Sequence, residues 1–328
     1  MTVETNYPTN ISKPSQESLA RAILQLNPSS ARAKRVVALV TIGVPAIGFA
    51  IAVYLMCSGR ATALDYTLFA VFYAIQTFGI GIGFHRYVAH KSFKTSRFFE
   101  GVLMVTGSMA LEGPLLFWVS THRRHHRFSD EAGDPHSPNL HGAGFIEKLR
   151  GLWYAHIPWM FSDKESRVSA FAPDVMRDRH LYNYSRTYPI WALASLLLPA
   201  VLGFVIGGTV AAALSGFIIG GLARVFVANQ AACCVGSISH MIGSRPFATH
   251  DNSANNWPVA FFTFGEGLQN NHHAFPGAYR HGIRWWELDL SGWVLTALGK
   301  VGIVWDLKMP TRRTINNRLR RNRTSSTV

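Results

Sequence analysis

Eight histidines in this chain fall into a pattern that ordinary packing does not require. His85 and His90 form an HxxxxH box, and His122, His125 and His126 form an HxxHH box. His272 and His273 make a third group, and His240 stands alone between the second and third. Imidazole is the commonest metal-binding side chain. One structural ion takes about four ligands, so eight nitrogens suit two ions. On a helix, positions i, i+3 and i+4 share a face, which lets His122, His125 and His126 point the same way. The i, i+5 spacing of His85 and His90 overshoots one turn and predicts a helix that ends or bends there. The adjacent His272 and His273 diverge by about 100° on a helix, which suits one for each of two ions. Nitrogen ligands serve iron, zinc, copper and nickel alike, so ligand type leaves the metal open. His136, His141, His156, His180, His250 and His281 are isolated in sequence and are expected to be surface or hydrogen-bonding groups.

The elements that must position these groups are apolar. Of 328 residues, 48% are hydrophobic and only 15% charged, whereas a soluble domain carries roughly a quarter charged residues; much of the surface is therefore expected to face lipid. Val36 to Cys57, Leu64 to Phe84, Pro189 to Gly207 and Thr209 to Ala232 each approach or reach the roughly twenty residues that cross a bilayer. Lys34 and Arg35 place the start of the first span in the cytosol by the positive-inside bias. Phe98 to Trp118 is also apolar, but a plain crossing there would split the histidines between the two sides of the membrane. Glu112, Gly113 and Pro114 interrupt it, so it is expected to lie in the interface or to enter and return. The sequence thus predicts an all-α, multi-pass membrane protein. It has four transmembrane helices, interfacial helices and a cytosolic histidine-rich cap that includes His122 to Asp178.

The net charge of +14 fits this topology and attraction to anionic lipid, and no nucleic-acid-binding motif accompanies it. Cys57, Cys233 and Cys234 show neither a disulfide framework nor a zinc-site spacing and are expected to be buried small residues. The N-terminus lacks the basic and short apolar regions of a secretory signal. The expected organisation is a polar segment (1–33), one integrated domain (34–310) and a basic tail (311–328). The tail carries Arg312, Arg313, Arg318, Arg320, Arg321 and Arg323 and is expected to be mobile in the cytosol.

Several longer stretches resemble the membrane fatty acid desaturases, in the stearoyl-CoA desaturase-like branch. They are GIGFHRYVAHKSF (81–93), WVSTHRRHHRFSDEAGDPHSP (118–138), GLWYAHIPWMF (151–161), SHMIGSRPF (239–247), GEGLQNNHHAFP (265–276), RHGIRWWELDL (280–290) and VWDLK (304–308). The resemblance implies two irons held by His85, His90, His122, His125, His126, His240, His272 and His273. Two positions depart from the family pattern. Gln269 stands where most relatives begin the third box with histidine, and Gly236 stands where an asparagine is common. Gln269 could coordinate through its carbonyl oxygen, hold a water or leave an open site, and Gly236 supplies no side chain at all. Ser120 and Thr121 replace the Arg-Asp pair of animal acyl-CoA enzymes. That brings the chain closer to bacterial, cyanobacterial and plant-type members and leaves the carrier open among CoA, acyl-carrier protein and lipid ester.

What the resemblance implies is oxygen-dependent desaturation of a long acyl chain, with a cis product, O2 as co-substrate and two electrons from a separate donor such as ferredoxin, rubredoxin or cytochrome b5. Asp130, Asp134 and Glu266 are candidates for orienting the ligand rings, as are Asn270 and Asn271. Trp118, Trp153 and Trp159 are candidate tunnel residues. The expected setting is a bacterial inner membrane, with both termini and the active site on the cytosolic side. Hydroxylation or acetylenic bond formation on the same fold is the competing reading. A membrane metal carrier is a third, but it would place histidines along the spans rather than at their ends.

Overall fold

The computed structural model describes residues 15–319. Helix α1 (Pro28–Cys57) is capped by Asn27, whose side chain accepts from the Ser30 amide, and has Pro28 in its first turn. Its 30 residues span about 45 Å at 1.5 Å each, more than the hydrocarbon core of a bilayer. Val36, Val37, Leu39, Val40 and Ile47 stand exposed along it, as expected of a lipid-facing surface. Helix α2 (Ala63–Ala89) starts at a Thr62–Asp65 capping box and returns antiparallel to α1.

Residues Gly79–Ala89 of α2 are wound as a π-helix, and this answers the spacing of the first box. With i to i+5 hydrogen bonding, the His90 amide donates to the His85 carbonyl at 3.1 Å. The two rings then lie 4.9 Å apart.

The stretch expected to lie in the interface or re-enter is not one continuous helix. Helix α3 (Arg97–Ser108) stops, Leu111 and Gly113 adopt positive φ, and α4 (Leu115–Phe128) begins after Pro114. Helix α5 (Phe145–His156) follows in the cap. The second spanning pair is α6 (Tyr188–Gly207) and α7 (Val210–His240). Gly208 turns the chain between them in the left-handed conformation, which glycine adopts without steric cost. The pair packs closely: a Cβ at Gly216 would lie 2.5 Å from the Pro199 carbonyl oxygen. These four helices are long and apolar enough to cross a membrane, and the chain is an integral membrane protein.

The cap is completed by α8 (Gln269–Ala274), α9 (Leu290–Lys300) and α10 (Arg312–Arg318). Two small antiparallel pairs stitch distant parts together: Ile23–Gln25 with Lys164–Ser166, and Lys94–Thr95 with Val304–Trp305. The described part of the basic tail differs from expectation. Thr311 caps α10, Arg318 Nη1 donates to the Ala274 carbonyl at 2.8 Å, and the Ala248 amide donates to the Arg318 carbonyl. The helix therefore docks beside α8. Arg320, Arg321 and Arg323 lie outside the described residues. Of the cysteines, Cys57 is exposed and Cys233 and Cys234 are partly buried, because Cys57 ends α1 where the bundle no longer covers it.

Candidate metal centre

Three elements from distant parts of the sequence converge at one end of the bundle. The π-helical end of α2 brings His85 and His90, α4 brings His122, His125 and His126, and α8 brings His272 and His273. The last turn of α7 adds His240, fully buried. They sort into two groups. In the first, His85, His90, His122, His126 and His272 each offer a ligand atom within 4.8 Å of all the others. Their Nε2 atoms approach at 3.0 Å (His85 to His272), 2.7 Å (His90 to His122) and 2.9 Å (His272 to His126). In the second, His125, His240 and His273 converge within the same limit. The groups adjoin, with the rings of His126 and His273 stacked at 4.5 Å.

Four of the rings are oriented by carboxylates. His85 Nδ1 pairs with Glu266, which also pairs with Arg86, and Arg86 reaches Asp289 at 3.0 Å. His125 Nδ1 lies 3.0 Å from both oxygens of Asp134. His240 Nδ1 donates to Asp130 at 3.2 Å and His273 Nδ1 to Asp251 at 2.5 Å. A carboxylate that takes the Nδ1 proton leaves the Nε2 lone pair for a metal. The Nε2 atoms of His240 and His273 are buried with no hydrogen-bond partner, as a ligand nitrogen would be. Burial, and then the neighbouring imidazoles, hold His90, His122, His126 and His272 well below the usual histidine range. His273 is pulled by burial to about 4, although Asp251 opposes this. Burial alone would raise the carboxyls of Glu266 and Asp251, but Arg86 and His85 beside the first and His273 beside the second take them below the usual carboxylate range. Five rings that burial keeps below the usual histidine range, His90, His122, His126, His272 and His273, and four whose Nδ1 a carboxylate holds, His85, His125, His240 and His273, are a metal-ready donor set, and two adjacent groups of these rings fit two metal ions.

The other expected residues divide. Asp130, Asp134 and Glu266 hold ligand-type rings. Gln269 is buried, and its amide nitrogen donates to the Glu266 carbonyl at 2.7 Å. Asn270 brackets the backbone of Phe247, while Asn271 binds Asn255, Glu287 and the His281 carbonyl. These two residues tie α8 into the cap instead of holding a ring nitrogen. Sequence reasoning missed Asp251, which carries no motif of its own. It also underrated two histidines. His281 is 1% exposed, 4.5 Å from the ring of His272 and 5.2 Å from that of His85. His136 stacks on His125 at 4.5 Å, and burial, then His125, lowers it to about 3. Neither is a surface group. His156 does meet the expectation of a hydrogen-bonding group, between Ser237 and Gln230.

A cavity of about 440 Å³ runs from α1 to the histidines. Its walls include Ala38, Ile42, Ile80, Phe117, Phe226 and Ala228, and it reaches His85, His122 and His125. Trp118 and Trp159 line it, and Trp118 stacks on His122 at 5.0 Å. Trp153 does not. Helix α5 buries Gly151 and Ala155, four residues apart on one face, so residue 153 turns outward and is 60% exposed. Within the cavity wall, burial lifts the Glu112 carboxyl to about 7, and Trp118 Nε1 donates to it at 2.9 Å.

Comparison with known proteins agrees with this geometry. The family model described as fatty acid desaturase matches residues 61–305. The chain is 40% identical to a hex-5-enoyl-[acyl-carrier protein] acetylenase of Moorena producens (strain JHB), over 83% of this chain and 85% of that one. It is 35% identical to an acyl-CoA C20 Delta5-desaturase of Anemone leveillei, over 74% and 73%. It is 32% identical to an sn-1 stearoyl-lipid 9-desaturase of Synechocystis sp. (strain ATCC 27184 / PCC 6803 / Kazusa), over 80% and 76%. With a matching family model across most of its length, and metal-ready histidines at the head of an apolar cavity, the chain belongs to the fatty acid desaturase family.

Proposed function

We propose that this oxidoreductase inserts a cis double bond into a long acyl chain, using two iron ions held by His85, His90, His122, His126 and His272 on one side and by His125, His240 and His273 on the other. When bound, such a pair of ions supplies the activation of O2 and the withdrawal of two hydrogens from an unactivated pair of methylenes. The protein's part is placement. The Nδ1 atoms of His85, His125, His240 and His273 are held by carboxylates, which fixes those rings before any ion arrives. The apolar cavity takes the acyl chain out of water and presents it along Trp118 toward His122, so the reacting carbons are set by the depth of insertion. Glu112, lifted to about 7 by burial, is mostly protonated below that pH, which there keeps a fixed charge out of the cavity wall.

The observation that carries this reading is the continuity of one cavity from lipid-facing α1 to His85, His122 and His125. The relatives named above act on acyl-carrier-protein, CoA and lipid substrates, so the carrier of this chain's substrate is left among those three. The active site and both termini are assigned to the cytosolic side of a bacterial inner membrane. A net charge of +14 suits an acidic electron donor, such as ferredoxin, rubredoxin or cytochrome b5. A second reading, acetylenic bond formation, is favoured by the 40% identity to the acetylenase.

The test is mass spectrometry, with localisation of unsaturation, on acyl chains from cells with and without this protein, grown with and without oxygen. A new double bond only in oxygenated, expressing cells supports desaturation. A new triple bond supports the second reading, and a new hydroxyl with unchanged unsaturation overturns both.

A further inference from the structure

The two histidine groups are unequal: five nitrogens converge in one and three in the other. Gln269, at the start of the third box, donates its amide nitrogen to the Glu266 carbonyl, so its carbonyl oxygen is the one atom it could offer an ion, and it adds no nitrogen. A different residue stands beside the smaller group. The ring of His136 lies face to face with that of His125, 4.5 Å between centroids and 25° between planes. His125, Asp134 and His136 offer ligand atoms within 4.8 Å of one another. The loop is braced, because the His136 amide donates to Asp134 at 3.1 Å and Asp134 in turn holds His125. Yet His136 Nδ1 is buried with no hydrogen-bond partner.

The space that this nitrogen occupies exists because residue 236 is glycine. A Cβ at Gly236 would lie 3.0 Å from His136 Nδ1 and 3.2 Å from its Cε1, tighter than ordinary van der Waals contact. Any side chain at 236, four residues before His240, would therefore compete with the His136 ring. A buried imidazole nitrogen left unpaired costs free energy unless something binds it, and His125, whose ligand atom groups with that of His136, also belongs to the three-histidine group.

We propose that His136 is the fourth protein nitrogen of the three-histidine metal position, taking the place that a side chain at 236 would otherwise fill. This rests on the assignment of His125, His240 and His273 as metal ligands. Gly236 leaves room beside the ring that any side chain there would take.

Metal binding by the detergent-purified full chain tests this without turnover. Cobalt(II) is titrated into metal-free protein, with the visible ligand-field bands and the bound stoichiometry as readouts. The unaltered chain is expected to take two ions. His136→Ala and the more conservative His136→Gln are expected to keep one ion at full affinity, weaken the second at least about tenfold and shift its bands. Gly236→Asn is expected to weaken the same ion by displacing the ring. The double variant His136→Ala/Gly236→Asn is expected to recover part of the loss, because the asparagine then has the vacated space. Two ions with unchanged affinity and bands in both His136 variants would overturn the proposal. Fewer than two ions in the unaltered chain would instead overturn the two-metal assignment beneath it.

Discussion

His273 Nδ1 and Asp251 Oδ2 lie 2.5 Å apart, in a pair contributed by α8 and by the loop after α7. Asp251 is itself held by Ser253, whose amide and hydroxyl donate to its other oxygen at 3.1 and 2.6 Å. The His273 ring is thus fixed by a carboxylate that is fixed in turn. Asp251→Asn keeps the shape and removes the charge that raises ligand basicity. It is expected to lower metal affinity at the three-histidine position by about 10–100-fold and to leave the five-histidine position unchanged. Metal titration checks this, and equal losses at both positions would refute the assignment of Asp251 to one ion.

Glu112 sets an expected pH dependence of stability. Its carboxyl is raised to about 7 by burial, against about 4.5 when exposed to water. Its favourable contribution is therefore complete below about pH 4.5 and is lost as pH rises through about 7. Glu112→Gln removes this term. Melting temperatures measured from pH 5 to pH 8 are expected to fall with pH in the unaltered chain and to fall less in the variant. Parallel curves would show that Glu112 is not protonated in the fold.

Ala228 is 6% exposed and forms part of the cavity wall. Ala228→Phe fills the space that an acyl chain needs. Each methylene denied burial costs about 0.8 kcal/mol, or roughly fourfold in kcat/KM. The variant is expected to lose activity on long chains, progressively with length, and to keep activity on shorter ones. A uniform loss across chain lengths would place the acyl chain elsewhere.

Arg224 is fully buried in α7. It donates to Gln76 Oε1 at 2.6 Å, to the Ser195 carbonyl at 2.7 Å and to the Gly220 carbonyl at 3.0 Å, so it joins three spanning helices. Arg224→Ala leaves the Gln76 carbonyl unpaired where no bulk water reaches, at a cost of about 1–3 kcal/mol. A lower melting temperature in detergent, with metal stoichiometry intact, is the expected result. An unchanged melting temperature would show that the network carries no stability.

Much of this arrangement was legible in the chain. Four apolar stretches declared the spans because a bilayer demands a fixed length, and the i, i+3, i+4 spacing of His122, His125 and His126 declared a shared helical face. Glu112, Gly113 and Pro114 marked where the stretch from Phe98 to Trp118 breaks. The odd spacing of His85 and His90 announced an irregular helix end but not its form, since π-winding is sustained by packing of the surrounding helices rather than by those two residues.

Local spacing determined which residues would lie at the ends of spans and which could turn to one side, because those properties depend on contacts within a few turns of chain. Only the tertiary structure decided how the histidines divide between two groups, that Asp251 holds His273, that His281 is buried and His136 half-buried beside the centre, and that Trp153 faces away from the cavity. Each of those depends on distances between segments far apart in sequence. Such distances are set by how the spanning helices and the cap pack together, a property that no single stretch of residues contains.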